Sequence, residues 1–354
     1  MAEVVVENRV YRHETKQQPT ANAPGKIVEA FGLGKCPKLA EQVRSDILEV
    51  RVNTLRVLCE EFKNPTSIAG CVKVGLMSTL PGMALDDNLE TKKYSSKAMI
   101  AAARDYNGRT ALLKAGAPAT IFPALDDDDV DVRNNIYESL ANASTTGPGT
   151  RALVEAGYPA KLVDKAVKET PALQPLALRV LCNVIKHRAG LEEALSASLV
   201  ETLVGLLAED RPPEVRREAS LTLAFACFDD MAKIIAIQSN AVSMLAELLS
   251  AESCAVRSAA MGALMMITTV DAGKRAILST SAAEEAVKAL REVDDVLLLN
   301  ALKLIASIAA HPDIRGELKE DKACLPAIRS LQGSADPMIA KHASVALETV
   351  LWEP

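Results

Sequence analysis

Three nine-residue stretches decide how this chain is read. Val72–Leu80 is VKVGLMSTL, Leu113–Ile121 is LKAGAPATI and Val154–Leu162 is VEAGYPAKL. Each places a glycine between two apolar runs, and Gly75, Gly116 and Gly157 are 41 residues apart. A glycine just past a helical run supplies the left-handed backbone on which many helices end, because a β-carbon is penalised there. The same place continues as Ser198, Asn240, Ser281 and Lys322. The pattern predicts a short helix, a left-handed cap and a second helix, whose core positions are Leu80, Ile121, Leu162, Leu203 and Leu245.

Working outward in steps of 41 or 42 residues, a third helix emerges in every unit. One column reads Val50, Thr91, Val132, Leu173, Val215, Val256, Leu297, Ile339. Four residues on, a mostly small column reads Thr54, Ser95, Ile136, Ala177, Ala219, Ala260, Ala301, Ala343. Four further lie Leu58, Met99, Leu140, Leu181, Leu223, Leu264, Ile305 and Leu347. A spacing of four is helical, so the three columns define one apolar stripe per repeat. Acidic turns such as Asp86-Asp87 and Asp126–Asp131 separate the second helix from this longer one. Repeats therefore start near 50, 91, 132, 173, 215, 256 and 297, and a capping helix occupies 338–354.

This unit resembles the armadillo repeat, with HEAT character in its acidic-turn–Val–Arg pattern. The resemblance implies an all-α, right-handed superhelical solenoid of about seven 41–42-residue repeats plus a C-terminal capping helix. Repeats of this kind cannot bury their faces alone, so residues 36–354 are expected to form one solenoid with one elongated core. Residues 1–35 differ. RHETKQQPTANAPGK is polar and rich in helix breakers, and it reads as an extended arm. Lys38–Leu48 is expected to form a helix covering the first repeat.

Composition agrees with this reading. Hydrophobic residues make up 49% of the 354, and 56 are alanine, the best helix former, whereas only 3% are aromatic. The formal charge of −6 and the few rings argue against a nucleic-acid partner, which needs a basic track or stacking platforms. No apolar run approaches the roughly 18–20 residues needed to span a bilayer. Glu7 and Arg9 interrupt the Val4–Val6 run, so neither a secretory signal nor a membrane partner is expected. Seven widely spaced cysteines without a CxxC pair read as buried thiols of a reducing, intracellular compartment.

The residues offer no catalytic constellation. His13, His187, His311 and His342 each stand apart from other ligands, and zinc needs at least three converging. Phe31–Lys35 (FGLGK) lacks the strand and spacing of a phosphate loop and reads as a turn before Pro37. Asp126–Asp131 lacks the alternation, glycine and distal glutamate of a calcium loop. It reads as a solvated turn whose carboxylates favour the next helix N-terminus. We therefore expect no enzyme activity, cofactor, metal or small-molecule substrate. A cationic column, Arg51, Lys92, Arg133, Gln174, Arg216 and Arg257, sits beside these turns and is expected to pair with their acids.

In armadillo import receptors the third helix lines the groove, with a Trp and an Asn four residues apart repeating along it to hold basic peptides. The corresponding Trp column here is Arg56, Lys97, Glu138, Arg179, Leu221, Gly262, Lys303 and Val345. The Asn column is Glu60, Ala101, Asn142, Asn183, Phe225, Met266, Ser307 and Thr349. Only Asn142 and Asn183 match, and no Trp does, which argues against an import receptor. Instead Arg56, Lys97, Glu138, Asn142, Arg179 and Asn183 predict a polar first half. Leu221, Phe225 and Met266 predict an apolar patch suited to a partner helix.

The chain as a whole resembles the armadillo-repeat radial spoke proteins of motile cilia. The similarity rests on AFGLGKCPKLAEQ (Ala30–Gln42), EVRVNTLRVLCEEFKNP (Glu49–Pro65) and GALMMITTVDAGKRAIL (Gly262–Leu278). NALKLIASIAAHPDIRGEL (Asn300–Leu318) and the terminal VLWEP extend it. Pro171–Arg188 departs from the family pattern. The resemblance implies a non-enzymatic structural subunit of the axonemal radial spoke, assembled from the cytoplasm into the cilium or flagellum. Its implied partners are other spoke subunits, including the spoke scaffold protein, and doublet-microtubule-associated proteins at the spoke base. A soluble armadillo adaptor in transport, signalling or protein degradation is the other reading of the same repeats.

Overall fold

The computed structural model describes residues 32–353, so nearly all of the arm expected over 1–35 lies outside the described residues. Among them every regular element is helical. Eight long helices carry the repeat: α1 (Leu48–Glu61), α2 (Leu89–Arg104), α3 (Val130–Ala143), α4 (Gln174–Val184), α5 (Pro213–Ala226), α6 (Cys254–Ile267), α7 (Asp295–Ile308) and α8 (Pro337–Leu351). Two further helical segments precede each of α4, α5, α7 and α8, and three precede each of α2, α3 and α6, one of them a 3₁₀ turn. The chain forms two compact units, one ending at Asn142 and one beginning at Ala143. Within the first, α1 packs on α2; within the second, α4 through α8 form a ladder, each helix against the next.

The small column is the seam of these ladders. Thr54, Ser95, Ile136, Ala177, Ala219, Ala260, Ala301 and Ala343 are all 0% exposed. Leu58, Met99, Leu140, Leu181, Leu223, Leu264 and Ile305 are buried one turn on, and so are the five core positions predicted in the second helices. Apolar burial of this kind stabilises by about 25 cal/mol per Å2, but only because neighbouring elements cover each stripe. Alanine lets the helix backbones approach where larger side chains would hold them apart.

Five of the predicted left-handed caps form. Gly75, Gly116 and Gly157 have φ of 72°, 71° and 78°, and Ser198 and Asn240 adopt 62° and 64°. The two non-glycine residues accept a strained conformation to keep the turn. The last two repeats abandon it: Ser281 has φ −80°, and Lys322 is not among the positive-φ residues. The predicted Lys38–Leu48 helix is also corrected. A 3₁₀ turn, Gly32–Gly34, leads into a helix over Lys35–Gln42, and α1 starts separately at Leu48 after a turn. The second helix of the first two repeats is split between α and 3₁₀ segments, Leu76–Ser78 with Leu80–Met83 and Ala117–Ile121 with Phe122–Asp126, around Pro81 and Pro123.

A further column went unread in the sequence. Gly108, Gly149, Gly190 and Gly273 lie where a short helix crosses the end of the preceding long one. A β-carbon on Gly190 would stand 2.5 Å from the Val184 carbonyl oxygen and 2.9 Å from Val154 Cγ2. On Gly149 it would stand 1.8 Å from the Ala143 oxygen. The next residue often closes the exposed carbonyls. Arg109 Nη1 donates to Ala103 O at 3.0 Å, Thr150 Oγ1 to Ser144 O at 2.9 Å and Arg315 Nη1 to Ala309 O at 3.0 Å.

No single helix among the described residues is long and apolar enough to cross a membrane. The crossing at Gly190 yields a stability prediction. Gly190→Ala should lower the unfolding free energy by about 1–3 kcal/mol through overpacking. Gly205→Ala, where nothing lies within 4 Å, should be neutral or stabilising. Urea unfolding of the two variants checks both.

Candidate protein-interaction site

The charged turns are occupied by the fold itself. Asp129 caps α3, accepting from the Asp131 and Val132 amides at 3.0 and 3.1 Å. Asn88, Asp294 and Asp336 cap α2, α7 and α8 in the same way. Lys92 meets Asp127 at 2.7 Å, and Lys93 meets Asp129 and Asp131 at 3.0 and 2.8 Å. Desolvation pushes the Asp129 carboxyl up, but Lys93 and the two amides together outweigh it and hold the group below its ordinary value.

The cationic column plays a double role. Arg51 donates to Ser45 O at 3.0 Å and reaches Asp86 at 3.5 Å. Arg257 donates to Ala251 O at 2.9 Å and pairs with Glu292 at 2.9 Å. Arg133 donates to Asp127 O at 2.7 Å. These cations fasten their own entry turn and, in three repeats, the acidic turn 35 residues on. Arg216 is the exception. Ala251 stands in place of the acid, Arg216 Nε has no hydrogen-bond partner, and no ion pair reaches the side chain among the described residues.

Most polar groove positions are likewise engaged between neighbouring helices. Arg56 pairs with Glu90 at 2.8 Å and lies 4.9 Å from the Tyr94 ring centroid. Glu138 takes Arg104 at 3.1 Å, and Asn142 Nδ2 donates to Glu138 O at 2.8 Å. Lys97 is exposed. Asn183 is held at both ends: its amide donates to Ser144 Oγ at 3.1 Å, and its oxygen accepts from Lys186 at 3.1 Å. Arg179 meets the buried Glu218 at 3.7 Å, and Arg217 shares the same carboxylate.

The apolar positions separate. Leu221 and Met266 are half-buried, whereas Phe225 opens onto a cleft of about 430 Å3. Ile185, Lys186, Arg188, Leu191, Glu192, Phe225, Phe228 and Asp229 line it. The Phe225 and Phe228 rings are 6.1 Å apart, and Lys186 Nζ lies 4.5 Å from the Phe225 centroid. Phe228, Met231 and Ile234 are exposed by 68, 60 and 44%. Met266 does not line the cleft. The site is therefore at the junction of α5 and the helix Asp230–Gln238, at the end of the groove helix.

Sequence reasoning missed Phe228, Met231 and Ile234, although the repeat alignment carried a signal. At the Phe228 position the other repeats have Lys63, Arg104, Thr145, Lys186, Thr269, Ala310 and Trp352. At the Met231 position they have Thr66, Asn107, Pro148, Ala189, Ala272 and Asp313. Apart from Trp352 in the last helix, these places are small or polar elsewhere, so bulky exposed apolar residues here single out a candidate interaction patch.

No grouping of three His, Cys, Asp or Glu side chains able to hold a metal occurs among the described residues. All seven cysteines are free. Burial pushes the Cys182 and Cys227 thiols up to about 11 and about 12, so neither forms a nucleophilic thiolate near neutrality.

No protein-family model matches the chain, and a search of curated proteins gives no match. Solved structures do match. An engineered protein is 25% identical with a TM-score of 0.81, over 91% of this chain and 79% of that one. A designed armadillo repeat protein in complex with the peptide (KR)4 is 24% identical with a TM-score of 0.58, over 66% of this chain and 98% of that one. Computationally designed armadillo repeat proteins for modular peptide recognition give 24% identity and a TM-score of 0.58, over 65% and 98%. The fold is an armadillo solenoid.

Two measurements follow. Phe228→Ala and Met231→Ala should each change unfolding free energy by less than about 0.5 kcal/mol, since exposed side chains outside the core contribute little. A core-sized loss in urea unfolding would place these residues inside the fold instead. At pH 8, Cys182 and Cys227 should resist a thiol-specific disulfide reagent in the folded chain and react rapidly in urea. Their raised folded values withhold the thiolate that unfolding restores, and mass mapping of labelled peptides reads the difference.

Proposed function

We propose that this chain is a non-enzymatic scaffold subunit of the axonemal radial spoke in motile cilia and flagella. It would bind other spoke subunits, the spoke scaffold protein among them, through its solenoid surface and N-terminal arm. The observation that carries the scaffold part is the exposed Phe225–Phe228 cleft, held on a ladder whose seam is fully buried. A frame already ordered before binding loses little conformational entropy when a partner docks. The designed armadillo protein that holds a (KR)4 peptide supports binding of a partner segment by this architecture in general.

The spoke assignment is supported by sequence similarity in Ala30–Gln42, Gly262–Leu278 and the terminal VLWEP. Doublet-microtubule-associated proteins at the spoke base are further proposed partners, and the axoneme is the proposed location. The cleft replaces the Phe225–Met266 pair as the centre of the partner contact, because Phe228 and Leu191 share it and Met266 does not.

Retention in detergent-extracted axonemes tests the proposal. The wild-type chain should remain through detergent and co-sediment with the spoke particle after salt extraction. Phe225→Asp with Phe228→Asp should release most of it. A wild-type chain that washes out with detergent would instead be a soluble adaptor.

A further inference from the structure

Two parallel rows of side chains run along α4 and α5. On α4 and its end, Arg179, Asn183 and Lys186 follow at spacings of four and three, which places them on one face. On α5 and its end, Arg217, Leu221, Phe225 and Phe228 do the same. The helices pack directly, with Thr222 Oγ1 donating to Leu178 O at 3.4 Å. One row is cationic and the other, beyond Arg217, is apolar.

The cations are under-compensated. Arg179 and Arg217 share one carboxylate, Glu218, whose side chain is only 6% exposed. Lys186 has no carboxylate partner among the described residues. Its ammonium donates to Asn183 Oδ1 at 3.1 Å and lies over the Phe225 ring. The nearby acids are already committed. Asp229 accepts from the Met231 and Ala232 amides at 2.9 and 3.2 Å, Asp230 takes Lys233 at 2.8 Å, and Glu192 takes Arg188 at 2.8 Å.

We infer that this face takes an acidic amphipathic helix of a partner protein, with its apolar stripe on Leu221, Phe225 and Phe228 and carboxylates along one border meeting Lys186 and Arg179. Leu221 to Phe228 spans about 10 Å at 1.5 Å per residue, the length of two turns of a docked helix. The exposed Met231 and Ile234 extend the apolar row onto the following helix. A lysine sitting over a ring keeps its charge and gains a carboxylate without first breaking an ion pair. A basic helix would meet the same row with like charge, and such mismatches set partner choice. The inference rests on the scaffold reading and specifies the chemistry of the partner.

The test uses the full chain and two synthetic helix-forming peptides. Both carry Leu at i, i+3, i+4 and i+7; one has Glu along a border of the stripe and the other Lys. Fluorescence anisotropy should show the Glu peptide binding at least about tenfold tighter, a preference that weakens as salt is raised. Arg179→Glu with Lys186→Glu should remove or reverse the preference, while Phe228→Ala should weaken the Glu peptide about tenfold. Circular dichroism melting confirms that each variant is folded, and Lys322→Glu, at an exposed position outside the two rows and the groove columns, serves as a second charge control. Equal or tighter binding of the Lys peptide overturns the inference, as does binding of neither. Axoneme retention reads the whole chain and peptide preference reads one face, so failure of this inference is distinguishable from failure of the spoke proposal.

Discussion

Each long helix contributes one residue to a fully buried column of mostly small residues, and its stripe is covered by the next long helix and by the short helix that precedes it. From Ala177 to Ala343 the second unit repeats this seam five times, with every column residue fully buried. A β-carbon alone fills the space between backbones, so a larger residue would shift the ladder rather than one side chain. The small column thereby fixes the distance between successive helices. That distance determines which side chains of neighbouring groove faces can reach one another.

The ends of the long helices impose a second constraint. Their last carbonyls have no intrahelical donor and must be satisfied elsewhere. Where a short helix crosses that end at Gly108 or Gly149, glycine admits it close to the carbonyls, and Arg109 or Thr150 then donates to them; Arg315 does the same beside Ile314. The crossing also decides what is exposed next to it. At the α5 crossing Ala232 is buried while Met231 and Ile234 face outward, and this produces the apolar patch beside Phe228. The exposed apolar patch is thus a by-product of how one helix passes another, furnished locally with bulky residues.

Charge follows a similar division between structure and surface. Acidic turns cap helices and receive a cation from the preceding repeat, so Asp127 and Asp129 are spent on the fold. These pairs are partly exposed and individually weak, but they select one register of neighbouring turns. At the second unit's first groove helices the compensation is incomplete. Glu218 serves two arginines and Lys186 takes no acid among the described residues, so the face is cationic although the whole chain carries −6.

The repeat, its 41–42-residue step, the buried columns and five of the left-handed caps were legible in the sequence, because each is a local pattern multiplied along the chain. The caps expected at Ser281 and Lys322 do not form, and residue type alone does not mark the difference, since Ser198 adopts φ 62° where Ser281 adopts −80°. The Gly108, Gly149, Gly190 and Gly273 column was visible but unread, because only the crossing of two helices explains it. Of the predicted apolar positions, Phe225 lines the cleft and Met266 does not. By itself the sequence determined a ladder of helices, since periodic burial is encoded residue by residue. Tertiary structure alone decided where that ladder leaves an aromatic pair and an unpaired lysine side by side, because that depends on two helices meeting at a distance set by the seam beneath them.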